Sequence, residues 1–366
     1  MSISLALRGS AMRRIFQLVR RYWLTILALA GLAFFILTSI DFHEFSRAFL
    51  GVAWSFVALA VLANFASIML KVTSWKLIFD YSFQGISGRW RDLTSALMIG
   101  FLVNAMVPAR LGEIARALVI SRRQALREQP ISRSTAFGTI VLERVFDGVV
   151  MGLIVVYGII HMDLPGWADK GAMVLMVLSL FFAAVLVMLE INRKRLRQGS
   201  EAAAARHREH HPAWRRLLMR LYGIIARFSE GQRMLRSPIR VLAVFCSTMA
   251  SWIAQLMAIY FSLLAFHLDH VGILGALLLL ILINVAGALP ATPANVGVFQ
   301  LATVIPLSIT YNIPGATALA FSIGLQMIEG SIGVGIGSIF LLREGLTLKE
   351  VRSDSRREIK DLTVNS

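Results

Sequence analysis

The chain has 366 residues, 57% of them hydrophobic and 16% charged, with a formal net charge of +16. This composition excludes an ordinary soluble domain. The apolar runs do not alternate in segments of roughly 10 residues, which excludes a closed transmembrane barrel.

Several runs of about 20 apolar residues match a hydrocarbon core of about 30 Å. The predicted fold is therefore an all-α polytopic helical membrane protein, with apolar regions at about 22–40, 50–70, 94–118, 135–160, 171–191, 239–265, 272–312 and 315–342. Basic residues cluster between these regions, as in cytoplasmic loops, where they also meet anionic lipid heads. Nucleic acid is not an expected partner. The single cysteine, Cys246, forms no internal disulfide and no cysteine-based metal site. No metal and no cofactor are expected.

The N-terminal arginines Arg8, Arg13, Arg14, Arg20 and Arg21 place the start of the chain in the cytoplasm. The run that follows is too long for a signal-peptide core and reads as a retained helix. Loop 41–49, with Asp41 and Glu44, is expected outside. Loop 71–93, with Lys71, Lys76, Arg89 and Arg91, is expected inside, and Trp23, Trp54 and Trp75 read as interface anchors.

Region 94–118 then presents a conflict. Its other flank carries Arg122, Arg123, Arg127 and Arg133, so both flanks favour the cytoplasm. A single crossing cannot satisfy both, but a re-entrant hairpin can. Residues 93–107 descend, Pro108 breaks the helix and 111–121 return. The break is polar: Asn104, Arg110, Gly112, Glu113 and Arg116. Lipid tolerates such residues only where protein encloses them. Helical spacing offers the pairs Arg110–Glu113 and Glu113–Arg116. A guanidinium suits phosphate or carboxylate, and the helix start after Pro108 favours an anion.

Region 135–160 carries Glu143, Arg144 and Asp147. Asp147 lies about 20 Å deep at 1.5 Å per residue, where a charge faces the bundle interior. It can line a substrate site or pair with Arg110 or Arg116. The acidic loop 161–170 is expected outside, and the basic segment 192–238 inside, with 214–235 as an interfacial amphipathic helix. Region 272–312 has its own break at Pro290, Pro293, Asn295 and Gly297, followed by Gln300. It reads as a second hairpin entering from the opposite face. The last helix holds Gln326 and Glu329, the latter a candidate proton or cation site or a partner for an arginine. Gly330, Gly333, Gly335 and Gly337 read as a close-packing surface. The charged tail 343–366 is cytoplasmic, as is the N-terminus.

The halves, about 22–160 and 171–342, then match as an inverted repeat of six full crossings and two re-entrant hairpins. Paired interruptions of this kind mark a midplane substrate site. The echo of Asn104, Pro108 and Ala109 in Asn284, Pro290 and Ala291 is faint, and the alternative is eight plain crossings.

The pattern Asn104-x3-Pro108-x-Arg110-x-Gly112-Glu113-x2-Arg116 resembles a signature of the lysylphosphatidylglycerol synthase transmembrane-region family, also called flippase-like proteins. Glu143-Arg144-x2-Asp147 is similar to that family's second polar block. Pro290-x2-Pro293-x3-Gly297-x2-Gln300 resembles its third, with Gln300 where the family commonly has Glu. The resemblance implies a bacterial inner-membrane protein that moves a lipid or lipid-linked headgroup between leaflets. Its expected partners are membrane lipids, with anionic or phosphate-bearing headgroups, and a lipid-biosynthetic enzyme. Larger members add an aminoacyl-transferase domain that this sequence lacks, so lysyl transfer is not expected. The chain shows no nucleotide loop, zinc-ligand pair or nucleophile elbow. Two further readings stand beside translocation: a non-catalytic scaffold of a lipid-modifying enzyme, and an intramembrane enzyme with Glu143 or Asp147 as base.

Overall fold

A computed structural model describes residues 41–83, 85–106, 111–161, 237–288 and 293–343, with isolated positions 173, 177, 184 and 188. The expected helix at 22–40, the amphipathic segment 214–235, the loop 161–170, most of 171–191 and the tail lie outside the described residues. All regular structure among the described residues is helical.

The first half contains α1 (Phe42–Leu50), α2 (Trp54–Ser82), α3 (Trp90–Met106), α4 (Gly112–Ala125) and α5 (Arg133–His161). The second contains α6 (Pro238–Ala265), α7 (Gly272–Ala288), α8 (Val298–Thr310) and α9 (Gly315–Arg343). Two 3-10 turns, Asp269–Val271 and Pro293–Asn295, flank α7. Four helices are long and apolar enough to cross a membrane: Trp54–Ser82, Pro238–Ala265, Asp269–Gly287 and Gly315–Arg343. The chain is a multi-pass helical membrane protein.

Two boundaries differ from the sequence reading. The expected outer loop 41–49 contains α1, whose first turn is capped by Asp41. Its carboxylate accepts from the backbone N–H groups of His43 and Glu44, at 2.8 and 3.3 Å, and these donors hold Asp41 below the usual carboxylate range. The expected cytoplasmic loop from Lys71 is helical as far as Ser82. Apolar residues at Val72, Trp75, Ile78 and Phe79 continue the buried face past Lys71. That continuation draws Lys71 into the bundle.

α2 and α6 run antiparallel along their length. At one end the Ala53 N–H donates to the Ala265 carbonyl, at 2.9 Å. In the middle the Ser251 hydroxyl donates to the Ser67 carbonyl, at 2.9 Å, and Ser74 meets Thr248 at 2.8 Å. At the far end the Arg240 guanidinium lies 4.9 Å from the Tyr81 ring centre. Small hydroxyl residues allow close approach and satisfy one another, as helix seams in lipid require.

α3 and α4 double back on each other. Asp92, at the start of α3, accepts from Arg123 at 2.8 Å and lies 2.7 Å from Arg127, both near the end of α4. At the opposite end the Gly112 N–H donates to Asn104 Oδ1, at 2.7 Å. A Cβ on Gly112 would lie 2.2 Å from the Gly100 carbonyl oxygen. Glycine is therefore required where the two backbones touch. α7 and α8 double back similarly. Leu278 and Leu282 of α7 pack on Ala302 of α8 and on Tyr311 just beyond it. Between them Gly297 adopts φ 88°, a left-handed backbone that favours glycine, and the turn Pro293–Asn295 packs against α3.

The helix directions gather Arg89, Arg91, Arg122, Arg123, Arg127, Arg133, Arg240 and Arg343 toward one end of the bundle. Asp41, Glu44 and Asp269 lie toward the other. α9 spans both regions. Its first half bonds to the second doubled pair through Thr303 and Ser322, at 2.6 Å. Gly333 and Gly337 face Phe101, Met98 and Leu102 of α3. Gly330 and Gly335 meet no neighbour that a Cβ would touch, so the expected glycine packing surface consists of two of the four residues.

Candidate functional site

Asn64, Ser67 and Lys71 recur along α2 at intervals that place them on one face. α5 adds Arg144 and Asp147, α6 adds Ser251, Trp252 and Gln255, α7 adds Asn284 and α9 adds Glu329. Together with Phe101 and Ala105 of α3, these side chains line a cavity of about 450 Å³ inside the bundle.

Beside the cavity lies a chain of ion pairs. Lys71 Nζ donates to both oxygens of Asp147, at 2.9 and 2.7 Å, and stands 3.6 Å from Glu143. Glu143 accepts from Arg116 Nη2, and both side chains are buried. The Arg116 guanidinium also stacks 4.2 Å from the Trp75 ring centre, and the indole N–H of Trp75 donates to Thr139, at 3.1 Å. Arg144 donates to Asp147 at 3.1 Å and approaches Glu113 at 3.7 Å. Its side chain is 41% exposed, against 2% for Arg116, so Arg144 is the guanidinium of this network open to an incoming group.

Charges at this depth persist only when paired or turned toward a polar space. Among the described residues, three cations and three carboxylates meet here across α2, α4 and α5. The expected helical pair Glu113–Arg116 is not the arrangement found. Arg110 lies outside the described residues. Glu113 reaches across to Arg144, and Arg116 to Glu143. The reason is directional: α4 faces α5 and Trp75, so its long side chains find their partners between helices. Asp147 pairs with Lys71 and Arg144, not Arg116.

The second interruption is polar but plays another part. Gln300 Oε1 accepts from the Gly297 N–H, at 2.6 Å, and its Nε2 donates to Gln326, at 2.6 Å. Gln326 in turn donates to the Ala294 carbonyl, at 2.9 Å. This relay supplies partners for backbone that leaves the helix. Asn295 has φ 58° in that turn and does not line the cavity. Asn104 likewise holds the first doubled pair together. Pro108 and Pro290 lie outside the described residues, while Gly112, Pro293 and Gly297 stand at the interruptions.

Glu329 accepts from Gln255 Nε2, at 2.8 Å, and lines the cavity. No arginine pairs with it among the described residues. Asn64 Nδ2 donates to the Ile328 carbonyl, at 3.0 Å, which fixes this part of α9.

Sequence reasoning missed Lys71, Trp75, Asn64 and Gln255. From the sequence, Lys71 reads as a loop residue and Trp75 as an interface anchor. The apolar period through Val72, Ile78 and Phe79 was the signal that places both inside. Trp54, by contrast, is 74% exposed at the start of α2.

A family model described as the lysylphosphatidylglycerol synthase TM region matches residues 22–337. No curated protein and no solved structure matches the chain.

Proposed function

Because the chain belongs to the lysylphosphatidylglycerol synthase transmembrane-region family, we propose that it moves a lipid or lipid-linked headgroup between the leaflets of a bacterial inner membrane. The observation that carries this reading is the cavity. It lies within the bundle, takes side chains from both halves, and presents Lys71 and Arg144 to an anionic or phosphate-bearing group. The lipid tails stay in the bilayer while the headgroup crosses.

The helix contacts support an inverted repeat. α2 meets α3 and α5 as α6 meets α7 and α9, and α4 meets α5 as α8 meets α9. Across the halves, α3 meets α9 as α7 meets α5, and α2 meets α9 as α6 meets α5. Exchanging the halves preserves every one of these pairings, with the antiparallel α2–α6 seam at the centre. The doubled pairs α3–α4 and α7–α8 have their closed ends at opposite ends of the bundle. This supports two re-entrant hairpins that gate the cavity alternately. The basic end is then cytoplasmic.

The intramembrane-enzyme reading has less support, because cations hold both Glu143 and Asp147. A scaffold would dock through 192–238, outside the described residues.

The test is translocation in proteoliposomes of phosphatidylethanolamine and phosphatidylglycerol, with a trace of phosphatidylglycerol fluorescently labelled on one acyl chain. Wild type is expected to expose the labelled lipid to an external quencher, and Arg144→Ala to slow this at least tenfold while remaining monodisperse. Equal rates would remove Arg144 from the site. A wild type that moves neither this lipid nor labelled phosphatidylethanolamine, yet retains an enzyme on co-purification, would favour the scaffold.

A further inference from the structure

The two polar pairs that meet in the cavity are counterparts, and they differ in charge. Lys71 and Gln255 each stand 17 residues beyond the first residue of their helices, Trp54 and Pro238. Asp147 and Glu329 each stand 14 beyond theirs, Arg133 and Gly315. Exchange of the halves carries the Lys71–Asp147 bond, at 2.7 Å, onto the Gln255–Glu329 bond, at 2.8 Å. In the first half a cation answers the acid. In the second the donor is a neutral amide.

The charge balance makes this difference consequential. Among the described residues, Lys71, Arg116 and Arg144 offset Glu113, Glu143 and Asp147 in one connected network. Glu329 stands outside that balance. Among the described residues, the charged groups facing it across the cavity are Lys71 on α2 and Arg144 and Asp147 on α5. The other walls bring Phe101 from α3, Trp252 and Gln255 from α6 and Asn284 from α7, none of which carries charge. A carboxylate answered only by an amide is costly to keep ionised within a bilayer. The described residues hold no cluster of His, Cys, Asp and Glu that could bind a metal ion in its place.

We propose that Glu329 is a proton-coupling site, taking up a proton as an anionic headgroup enters and releasing it on the opposite side. This rests on the translocase reading and adds its driving ion. A headgroup drawn to Lys71 and Arg144 shares the cavity with Glu329. If Glu329 is ionised, the two negative charges repel; if it is protonated, the headgroup enters without that penalty. The coupling is reciprocal, so bound headgroup favours the bound proton as much as the proton favours the headgroup. One negative charge and one proton then cross as a neutral load. Gln255 is the residue that makes this possible, because a lysine there would neutralise Glu329 permanently, as Lys71 does Asp147.

Two measurements on the full chain test the proposal. The first is infrared difference spectroscopy of purified protein across a pH titration, which does not depend on transport. Wild type is expected to show a protonated-carboxyl band that Glu329→Gln abolishes and that Gln255→Lys removes at neutral pH. A carboxyl band unchanged in both variants, or no such band in wild type at mildly acidic pH, would overturn the proposal.

The second measurement uses the proteoliposomes and acyl-labelled phosphatidylglycerol described above. An imposed pH gradient is expected to change the wild-type rate at least threefold relative to no gradient, and to leave the Gln255→Lys rate unchanged. Wild-type translocation indifferent to the pH gradient, or driven by a sodium gradient alone, would sink proton coupling and leave the translocase reading standing. Absence of any translocation would sink the translocase reading instead, and the infrared result would still decide whether Glu329 binds a proton.

Discussion

Arg116 shows how single residues are fixed in this bundle. Its side chain is buried, stacked on Trp75 and bonded to Glu143. Removing one partner of such a pair leaves a buried charge exposed to the full desolvation cost, about 3–5 kcal/mol. Arg116→Leu is therefore expected to lower thermal stability in detergent by that amount. Arg116→Leu combined with Glu143→Leu should recover most of the loss. A double variant no more stable than the single would mean that packing on Trp75, not the ion pair, holds Arg116. The cluster members Arg116, Glu143, Arg144 and Asp147 were legible in the sequence, because charge inside an apolar run is conspicuous. Lys71 was not, because a lysine at the end of a 20-residue run looks the same whether the helix stops or continues.

In the proposed translocation the doubled pairs are the elements that gate the cavity. α3 is 17 residues long and α4 is 14, about 25 and 21 Å at 1.5 Å per residue. Their open ends are tied by Asp92 to Arg123 and Arg127. If the pair enters and leaves by one face, cysteines at Trp90 and Ala125 in a Cys246→Ser background label from the same side. Cysteines at His270 and Asn312, flanking α7 and α8, label from the opposite side. An impermeant maleimide applied to sealed vesicles reads this directly. Opposite labelling of positions 90 and 125 would make α3–α4 a plain crossing. That α3 and α4 double back on each other is legible in the basic residues on both flanks of the region. The role of Gln300 as a cap for Gly297 was not, because the sequence cannot show which backbone group loses its helical partner.

At the scale of the molecule, the two halves meet along the α2–α6 seam, where Ser67 and Ser251 stand 3.4 Å apart. Alternating access requires the halves to shift against each other at this line. A disulfide between Ser67→Cys and Ser251→Cys, in the Cys246→Ser background, is expected to slow translocation at least tenfold, with recovery on reduction. Undiminished transport in the oxidised protein would show that the seam is static and that only the hairpins move. The cavity depends on the same relation between halves, since α2, α3 and α5 meet α6, α7 and α9 around it.

The sequence by itself determined the class of protein, the positions of the interruptions and the side chains too polar for lipid. Those follow from hydrophobic run length and from the cost of charge in hydrocarbon, both local properties. Only the tertiary structure decided which charge answers which. It carried Lys71 to Asp147 and turned Arg116 from its helical neighbour Glu113 to Glu143. It also left Glu329 with an amide for a partner. Polar pairing in a bilayer is governed by distances between helices of a few ångströms, and residues 76 or 74 positions apart in sequence, such as Lys71 with Asp147 or Gln255 with Glu329, become neighbours only when the helices of each half pack against one another.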